Sequence, residues 1–230
     1  MSMWYYRIRS RCLRTILRHA LRKERRDDLL RLGTPRADWI IPANLLPRRA
    51  VCYCVGLGEE GSFDQGLAQR FEAEVHVFDP TPRAVAYART TFREGDGITF
   101  HPVGLWSHEA TLKFYAPRNP RHVSHSIVNL QRTADYFEAP CKSLRALMVE
   151  LDHNDIDLLK LDIEGAEHAV LGSLVDDDIT PAVLCVEFDQ PVPLRRLFKT
   201  LGELKRAGYI LISVDSWNYT FRASRAREKR

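Results

Sequence analysis

Hydrophobic positions along this chain follow two alternating patterns, short continuous runs and runs with helical spacing. Continuous runs bounded by polar residues or glycine are typical of strands that are buried on both faces of a parallel sheet. Apolar residues three and four apart, such as Phe63, Leu67 and Phe71, predict amphipathic helices between these runs. The alternation predicts a doubly wound α/β fold with a mostly parallel sheet and helices on both faces. The predicted strands are residues 50–55, 75–78, 98–103, 112–116, 158–163 and 182–188, and a closing hairpin of residues 209–214 and 219–221.

A glycine-rich turn directly follows the strand at residues 50–55. Gly56, Gly58 and Gly61 form a G-x-G-x-x-G pattern between this strand and the next predicted helix, which is the context that gives the pattern weight. Glycines let the backbone turn tightly and expose amides to a ligand at the helix start. Asp79 ends the following strand, eighteen residues past Gly61, where ribose hydroxyls would need acceptors. The pattern predicts a nucleoside-binding βαβ half.

The run at residues 158–163 ends among three acidic residues, Asp162, Glu164 and Glu167. Open α/β sheets bind ligands along this carboxyl edge, and polar groups there are costly unless they are paired or used. Two interpretations stay open: a site of chemistry, or Asp162 as a helix cap with Glu164 and Glu167 solvated. Period-2 alternation would place Lys160, Asp162 and Glu164 on one face, so that the lysine partly neutralises both acids.

Charge is unevenly distributed along the chain. The net charge is +4, but residues 1–36 carry eleven Lys/Arg against three Asp/Glu and residues 222–230 carry five against one. The segment between them has eighteen against twenty-six. Helical spacing predicts that residues 1–36 form a basic arm with an amphipathic helix to about Arg26. Such an arm could contact an anionic membrane or nucleic acid, or pack on the domain. Residues 38–47 resemble a linker, and residues 222–230 a basic tail.

Composition is that of an ordinary soluble domain, with 45% apolar and 28% charged residues. No run approaches the ~20 apolar residues of a membrane span, and the start lacks the apolar core of a signal peptide. We therefore expect a cytoplasmic protein that is peripheral at a membrane if the arm binds one. Residues 117–140 form a long polar segment, of the kind that often serves as a functional lid. Its His122 and His125 are candidates for a base or metal ligands, or are ordinary surface histidines.

Three stretches together resemble the FkbM family of S-adenosylmethionine-dependent methyltransferases. Residues 157–167 (DLLKLDIEGAE) are similar to the family's signature strand and turn. Residues 55–64 (VGLGEEGSFD) and 76–82 (HVFDPTP) are similar to its cofactor motifs. The sequences of these two stretches resemble those of a branch that includes animal methyltransferase-like proteins. The resemblance covers residues 50–214. It implies that residues 37–221 form a methyltransferase domain of the class I Rossmann-like type, with seven strands of which the last is antiparallel.

The resemblance also implies roles for individual residues. The three glycines of the turn would approach the methionine part of S-adenosylmethionine, and Asp79 would hold the ribose. Val103 and Gly104 fall where such folds contact the adenine. Asp162 would lie beside the methionine and the methyl group. Family members methylate hydroxyl oxygens on sugars or polyketide-derived compounds, so a small-molecule or glycan acceptor is expected.

The residues of the glycine turn bear on the choice of cofactor. Glu59 and Glu60 would oppose the pyrophosphate of a dinucleotide, whereas a positive sulfur would be favoured. An NAD-dependent oxidoreductase is therefore the weaker alternative. A third is a non-catalytic Rossmann-like module that binds a membrane or, less favoured, nucleic acid through its basic ends.

Methyl transfer to a hydroxyl needs an aligned acceptor and a base for its proton. The candidates for the base are Asp162, Glu164 and His125, and Asp162 could instead serve only the cofactor. Asp162, Glu187 and Asp189 lie at neighbouring predicted strand ends and could hold Mg²⁺, as oxygen ligands would. No metal ligand is assigned, since Mg²⁺ is the less favoured alternative. The sequence leaves the oligomeric state open.

Overall fold

The computed structural model of this chain describes residues 17, 21–35, 37–118, 125–129, 133–188 and 193–225. Its strands are β1 (Leu29–Leu32), β2 (Trp39–Pro42), β3 (Val51–Val55), β4 (Glu74–Phe78), β5 (Ile98–His101), β6 (Gly104–Leu105), β7 (Ala110–Tyr115), β8 (Tyr136–Lys142), β9 (Leu158–Leu161), β10 (Val183–Glu187), β11 (Tyr209–Asp215) and β12 (Asn218–Ala223). Its helices are α1 (Ser62–Phe71), α2 (Pro82–Thr91), α3 (Leu144–Glu150), α4 (Glu167–Asp176) and α5 (Leu194–Arg206), with a 3-10 turn at Ala43–Leu45.

Seven strands form the central sheet in the spatial order β11-β12-β10-β9-β3-β4-β5. Five neighbouring strands, from β10 to β5, are parallel, and β12 pairs antiparallel with both β10 and β11. β4 and β5 follow on one side of β3, whereas the later strands β9 and β10 lie on its other side. Such a reversal of strand order opens a ligand crevice at the carboxyl ends of the strands. The structure therefore confirms the predicted Rossmann-like α/β fold with its antiparallel last strand.

Helices cover both faces of the sheet. Successive strand residues point to opposite sides, so each inner strand contributes side chains to two cores. Tyr53 and Val55 of β3 belong to the core on one face, where α3, α4 and α5 pack. Cys52 and Cys54 belong to the core on the other face, with α1, α2 and β2. β3 is buried on both sides because it lies inside the sheet, and this is why its sequence is a continuous apolar run.

The amino-terminal region differs from the sequence prediction. Residues 21–28 are not helical, and β1 pairs antiparallel with β2 where a linker was expected. Arg222 donates two hydrogen bonds to Glu24, at 2.8 and 2.6 Å, and the Glu24 amide donates to Leu211 O, so the chain is held along the sheet edge instead of continuing a helix. The helix prediction is wrong for residues 21–26, and residues 1–16 lie outside the described part. The division at residues 36/37 and 221/222 stays a prediction, although β1 and β12 each lie partly or wholly beyond it.

A three-stranded sheet in the order β6-β8-β7 was only partly predicted. The predicted strand 98–103 ends at His101 and resumes as β6, and β8 occupies the end of the segment that was expected to be a loop. Phe137, Ala139 and Cys141 of β8 pack inward beside Phe114, while the residues between them are more exposed. The alternation was hard to recognise because Pro140 interrupts the run and the inward residues Ala139 and Cys141 are small. Within the described residues, no helix has the length and apolar character needed to cross a membrane.

Candidate active site

A cleft of ≈ 390 Å³ opens at the carboxyl ends of β3, β4, β9 and β10. Its volume falls within the range of about 300–1,000 Å³ that is usual for small-molecule sites. The glycine turn after β3 forms one wall and the acidic turn after β9 another. The cleft therefore lies where the sheet topology predicts a ligand site, and it joins the two motifs that the sequence singled out.

The glycine turn is held in place by Asp79. One carboxylate oxygen, Oδ2, accepts hydrogen bonds from the amides of Leu57 and Gly58 at 2.9 and 3.0 Å. The other, Oδ1, accepts from the amide of Thr81 at 2.8 Å. Asp79 thus lines the cleft as predicted, but its carboxylate also fixes the shape of the turn.

Gly56 stands where the backbone of the glycine turn meets the end of β9. Its φ is +90°, in the region that favours glycine, and a Cβ built on it would lie 1.8 Å from the backbone oxygen of Asp162. The turn after β3 and the acidic turn after β9 are therefore in direct backbone contact. A side chain at this position would force the two walls of the cleft apart.

We expect Gly56→Ala to destabilise the fold far more than Gly95→Ala, although both glycines have a φ of +90°. A Cβ at Gly95 meets nothing within 4 Å, so that variant carries only the backbone penalty of about 1–2 kcal/mol. Gly56→Ala should add roughly 1–3 kcal/mol for the steric conflict. Urea unfolding of both variants measures the difference. Equal losses would mean that the contact with Asp162 is relieved without cost.

Lys160 links the two walls electrostatically. Its buried ammonium donates to Gly56 O at 2.5 Å and lies 3.4 Å from Asp162 Oδ2. Burial would lower the pKa of Lys160, but the nearby carboxylates of Asp162 and Asp64 outweigh it and raise the pKa. Asp64 is itself buried, and burial raises the pKa of its carboxyl group. The predicted pairing of Lys160 with Asp162 is confirmed, and Asp64 belongs to the same charge cluster.

Glu187, at the end of β10, faces the same cluster. Burial, followed by the negative charge of Asp162 and a hydrogen bond with it, raises the pKa of Glu187 to about 9. A raised pKa means that this carboxyl group keeps its proton at neutral pH, so it donates to Asp162 and does not accept protons. The predicted Mg²⁺ trio also includes Asp189, which lies outside the described residues, and that alternative stays untested.

Glu164 lies in a turn whose backbone differs from the predicted strand. β9 ends at Leu161, and Glu164 has a φ of +52°, so period-2 alternation does not extend to it. Its side chain nevertheless lines the cleft together with Asp162. The alternative of three solvated or capping acids is wrong for Glu167, which is buried and accepts a hydrogen bond from the Gly165 amide at 2.9 Å. A non-glycine residue in the left-handed region beside a cleft is typical of functional sites.

Residues 125–127 cover part of the cleft from above. Ser126 pairs with Tyr115 of β7 through two backbone hydrogen bonds, and its hydroxyl donates to the backbone oxygen of Glu164. This places His125 and Ile127 on the cleft wall. The described part of the segment predicted to be a lid thus brings His125 to the same cleft as Glu164. No pattern in the sequence predicts the contact between Ser126 and Glu164.

The remaining predicted residues divide into two groups. Gly104 lines the cleft, and a Cβ there would lie 2.6 Å from Cys141 Sγ, so a larger residue would disturb the second sheet. Gly61 and Val103 are not among the lining residues. The Gly61 amide donates to the Tyr87 hydroxyl at 3.1 Å, and a Cβ on this glycine would meet the Phe92 ring at 2.9 Å. Gly61 therefore lets α1 and α2 pack closely in this structure.

The acidic pair in the glycine turn does not act as one unit. Glu59 forms a bidentate ion pair with Arg83, at 2.8 and 2.6 Å, which balances its charge. Glu60 accepts a hydrogen bond from the Ser62 amide at the start of α1. The argument against a pyrophosphate therefore depends on Glu60 and on the acids of the opposite wall more than on Glu59.

Comparison with known proteins agrees with the resemblance seen in the motifs. The sequence matches the methyltransferase FkbM domain over residues 44–211, which is most of the chain. Probable methyltransferase-like protein 24 of Rattus norvegicus is 28% identical over 127 residues, 55% of this chain and 29% of that protein. The Homo sapiens protein of the same name is 27% identical over 128 residues, 55% of this chain and 28% of that protein. The match thus spans less than a third of these curated relatives.

A solved structure with a similar fold is precorrin-6y C5,15-methyltransferase of Geobacter metallireducens. It has a TM-score of 0.46 and 13% sequence identity, and the comparison covers 78% of this chain and 82% of that chain. The match to the FkbM domain includes the glycine turn, Asp79 and the acidic turn after β9. The chain belongs to the FkbM family of S-adenosylmethionine-dependent methyltransferases.

Proposed function

We propose that this domain methylates a hydroxyl oxygen of a sugar, glycan or other small molecule, with S-adenosylmethionine as the methyl donor. The observation that carries the proposal is the charge of the cleft. Six acidic side chains line it, of which Glu187 is protonated and Glu59 is paired with Arg83. Lys160 is the only lysine or arginine among its described lining residues. That lysine is already engaged by Asp162 and Gly56. A cationic cofactor and a neutral acceptor suit this lining, whereas a pyrophosphate would meet like charge.

The residues present fit S-adenosylmethionine. The glycine turn leaves room for a ligand beside Gly56 and Gly58, Asp79 has acceptor positions for ribose hydroxyls, and Gly104 lies where the adenine is expected. Asp162, held by Lys160, would stand near the methionine part. When bound, S-adenosylmethionine supplies a methyl group on a positively charged sulfur and leaves as S-adenosylhomocysteine.

The acceptor hydroxyl must lose its proton as the carbon–oxygen bond forms, so one of the residues around the cleft must accept that proton. Glu187 is unsuitable because its raised pKa keeps it protonated at neutral pH. Asp162 is paired with Lys160, which leaves Glu164 and His125 at the covered side of the cleft. We assign the base to Glu164, with His125 as the second candidate. Residues 125–127, which cover part of the cleft, would exclude water from the acceptor.

Calorimetry with S-adenosylmethionine and NAD, followed by detection of S-adenosylhomocysteine with a panel of sugar and small-molecule alcohols, tests the proposal. We expect the protein to bind S-adenosylmethionine but not NAD, and to form S-adenosylhomocysteine with at least one alcohol. Turnover confined to amine or thiol acceptors would contradict O-methylation. Binding of NAD alone would contradict the cofactor.

Asp79→Ala should weaken S-adenosylmethionine binding by about 1.5–3 kcal/mol, the loss of charge-assisted hydrogen bonds, or about ten- to a hundredfold in Kd. The same change releases three backbone amides of the cleft wall, so the free energy of unfolding should fall as well. Titration calorimetry measures the first effect and urea unfolding the second.

Asp96→Ala is the matched control for this experiment. Asp96 also accepts a backbone amide, that of Arg93, but it lies in an exposed turn and does not line the cleft. It should leave the Kd unchanged. A folded Asp79→Ala protein with wild-type affinity would remove Asp79 from the ribose site.

The expectations for the basic arm stay predictions. An anionic membrane surface as partner and a cytoplasmic location both depend mainly on residues 1–16, which lie outside the described part of the chain. Arg22, Lys23 and Arg25 are described and lie beside the carboxyl end of α5 and β11. The whole protein's acceptor and partners are likewise matters of proposal.

A further inference from the structure

A second polar cluster lies on β4 and is separate from the cleft. Glu74, His76 and His153 each offer one ligand atom, and these three atoms lie within 4.8 Å of one another. His76 Nε2 is 3.0 Å and His153 Nε2 3.6 Å from Glu74 Oε1. In the portions of the chain that the structure describes, it is the only group of three such ligands within that distance.

The two imidazole rings of this cluster are already oriented like those of metal ligands. His153 Nδ1 shares a hydrogen bond with the Tyr53 hydroxyl at 2.8 Å. His76 Nδ1 shares one with His101 Nε2 at 3.0 Å. Histidines that bind a metal almost always use the second ring nitrogen in this way, because the outer hydrogen bond fixes the tautomer and the ring orientation. Both rings therefore direct Nε2 toward the carboxylate of Glu74.

The position of the cluster distinguishes it from the methyltransferase site. In the sheet, His76 stands beside Tyr53, in the middle of β3. The cleft begins at Phe78, two residues beyond His76, or about 7 Å further along the strand. His153 comes from the loop after α3. A ligand bound by these residues would tie that loop to β4 without entering the cleft.

From this geometry we propose that Glu74, His76 and His153 bind a first-row divalent metal ion of the Zn²⁺ type, with solvent as the fourth ligand. Two imidazoles and one carboxylate suit Zn²⁺, whereas Mg²⁺ requires oxygen ligands. Zn–N and Zn–O distances of about 2.0–2.2 Å require the ligand atoms to draw somewhat closer together. Glu74 can supply this movement because its side chain is 57% exposed, while His76, at 6%, stays fixed in the sheet.

The role of the ion would be structural. It would join residue 153 to residues 74 and 76, which are distant in sequence, and so stabilise the packing of the loop after α3 against the sheet. The competing interpretation is a purely hydrogen-bonded cluster, in which Glu74 accepts from His76 and no metal is needed. The two interpretations differ in what added zinc does to the protein.

The test compares the full chain with the variants Glu74→Gln and His153→Gln, and with His108→Gln as the matched control. His108 is an exposed histidine whose neighbours are Ser107 and Trp106, outside the cluster. Titration calorimetry with ZnCl₂ and the thermal midpoint with and without zinc are measured for each protein, with MgCl₂ as a second control.

We expect the wild type and His108→Gln to bind one Zn²⁺ per chain at this site and to show a raised midpoint in zinc but not in magnesium. Glu74→Gln and His153→Gln should bind zinc at least about tenfold more weakly and lose most of the rise in midpoint. Because Glu74 is exposed, its variant should melt like the wild type without zinc, which separates loss of metal from loss of fold. Equal zinc responses in wild type and Glu74→Gln, or no zinc response in the wild type, would overturn the proposal.

Discussion

Glu164→Gln is expected to lower the turnover number by about 10²–10⁴, the usual contribution of a general base, while Kd for S-adenosylmethionine stays near the wild-type value. Glutamine has nearly the same shape as glutamate but cannot accept the acceptor's proton. Asp162→Asn should reduce both turnover and cofactor affinity, because Asp162 is held by Lys160 at the wall where the methionine is expected. Formation of S-adenosylhomocysteine and titration calorimetry provide the two readouts.

Glu60→Gln is the control for this experiment because Glu60 lines the same cleft from the glycine turn. Its turnover number should stay at the wild-type value. This would show that removing a negative charge from the cleft does not by itself lower the turnover number. Wild-type turnover by Glu164→Gln would place the base elsewhere, and His125→Gln would then be the next variant to measure. Loss of affinity in Glu164→Gln would mean that Glu164 serves the cofactor.

The second large effect is expected from Lys160→Met, which should lower the free energy of unfolding by about 3–5 kcal/mol. Methionine fills similar space but leaves the carboxylates of Asp162 and Asp64 without their cation. Removing one partner of a buried charge cluster is costly because the remaining charge stays desolvated. Urea unfolding at neutral pH measures the loss.

Two controls sharpen this prediction. Lys142→Met removes a partly exposed ion pair with Glu150 and should cost only about 0–1 kcal/mol. The deficit of Lys160→Met should also shrink at acidic pH, since Asp64 has a raised pKa in the folded state and takes up a proton once the lysine is gone. Equal losses for the two lysine variants, at all pH values, would show that Lys160 is not needed to balance these acids.

The central sheet was predictable because its inner strands are buried on both faces. Residues 51–55 therefore form a continuous apolar run and residues 158–161 an apolar run that only Lys160 interrupts, and a turn or helix signal followed each of them. β8 was not predictable in the same way, since only every second residue packs inward. The antiparallel pairing of β11 with β12 followed from the predicted closing hairpin, and the family resemblance implied the antiparallel last strand of the sheet.

The candidate site was predictable as far as it depends on strand ends. Gly56, Asp79 and Asp162 each follow a strand directly, and parallel strands bring such positions to one edge. The contact between Ser126 and Glu164 depends on a long segment folding back, and the sequence carries no pattern for it. The same holds for His153 in the second cluster. Glu74 and His76, two apart on one strand, were the only local signal, since alternation places them on the same face.

The position of β12 has a consequence for how this domain can be cut. The family match ends at Leu211, inside β11, but β12 comes later in the chain and lies between β10 and β11 in the sheet. A fragment trimmed to the match would lose an internal strand and expose the unpaired N–H and C=O groups of β10. Such an open edge is a template for aggregation. The segment that folds is therefore longer than the matched residues 44–211, and it extends at least to Ala223.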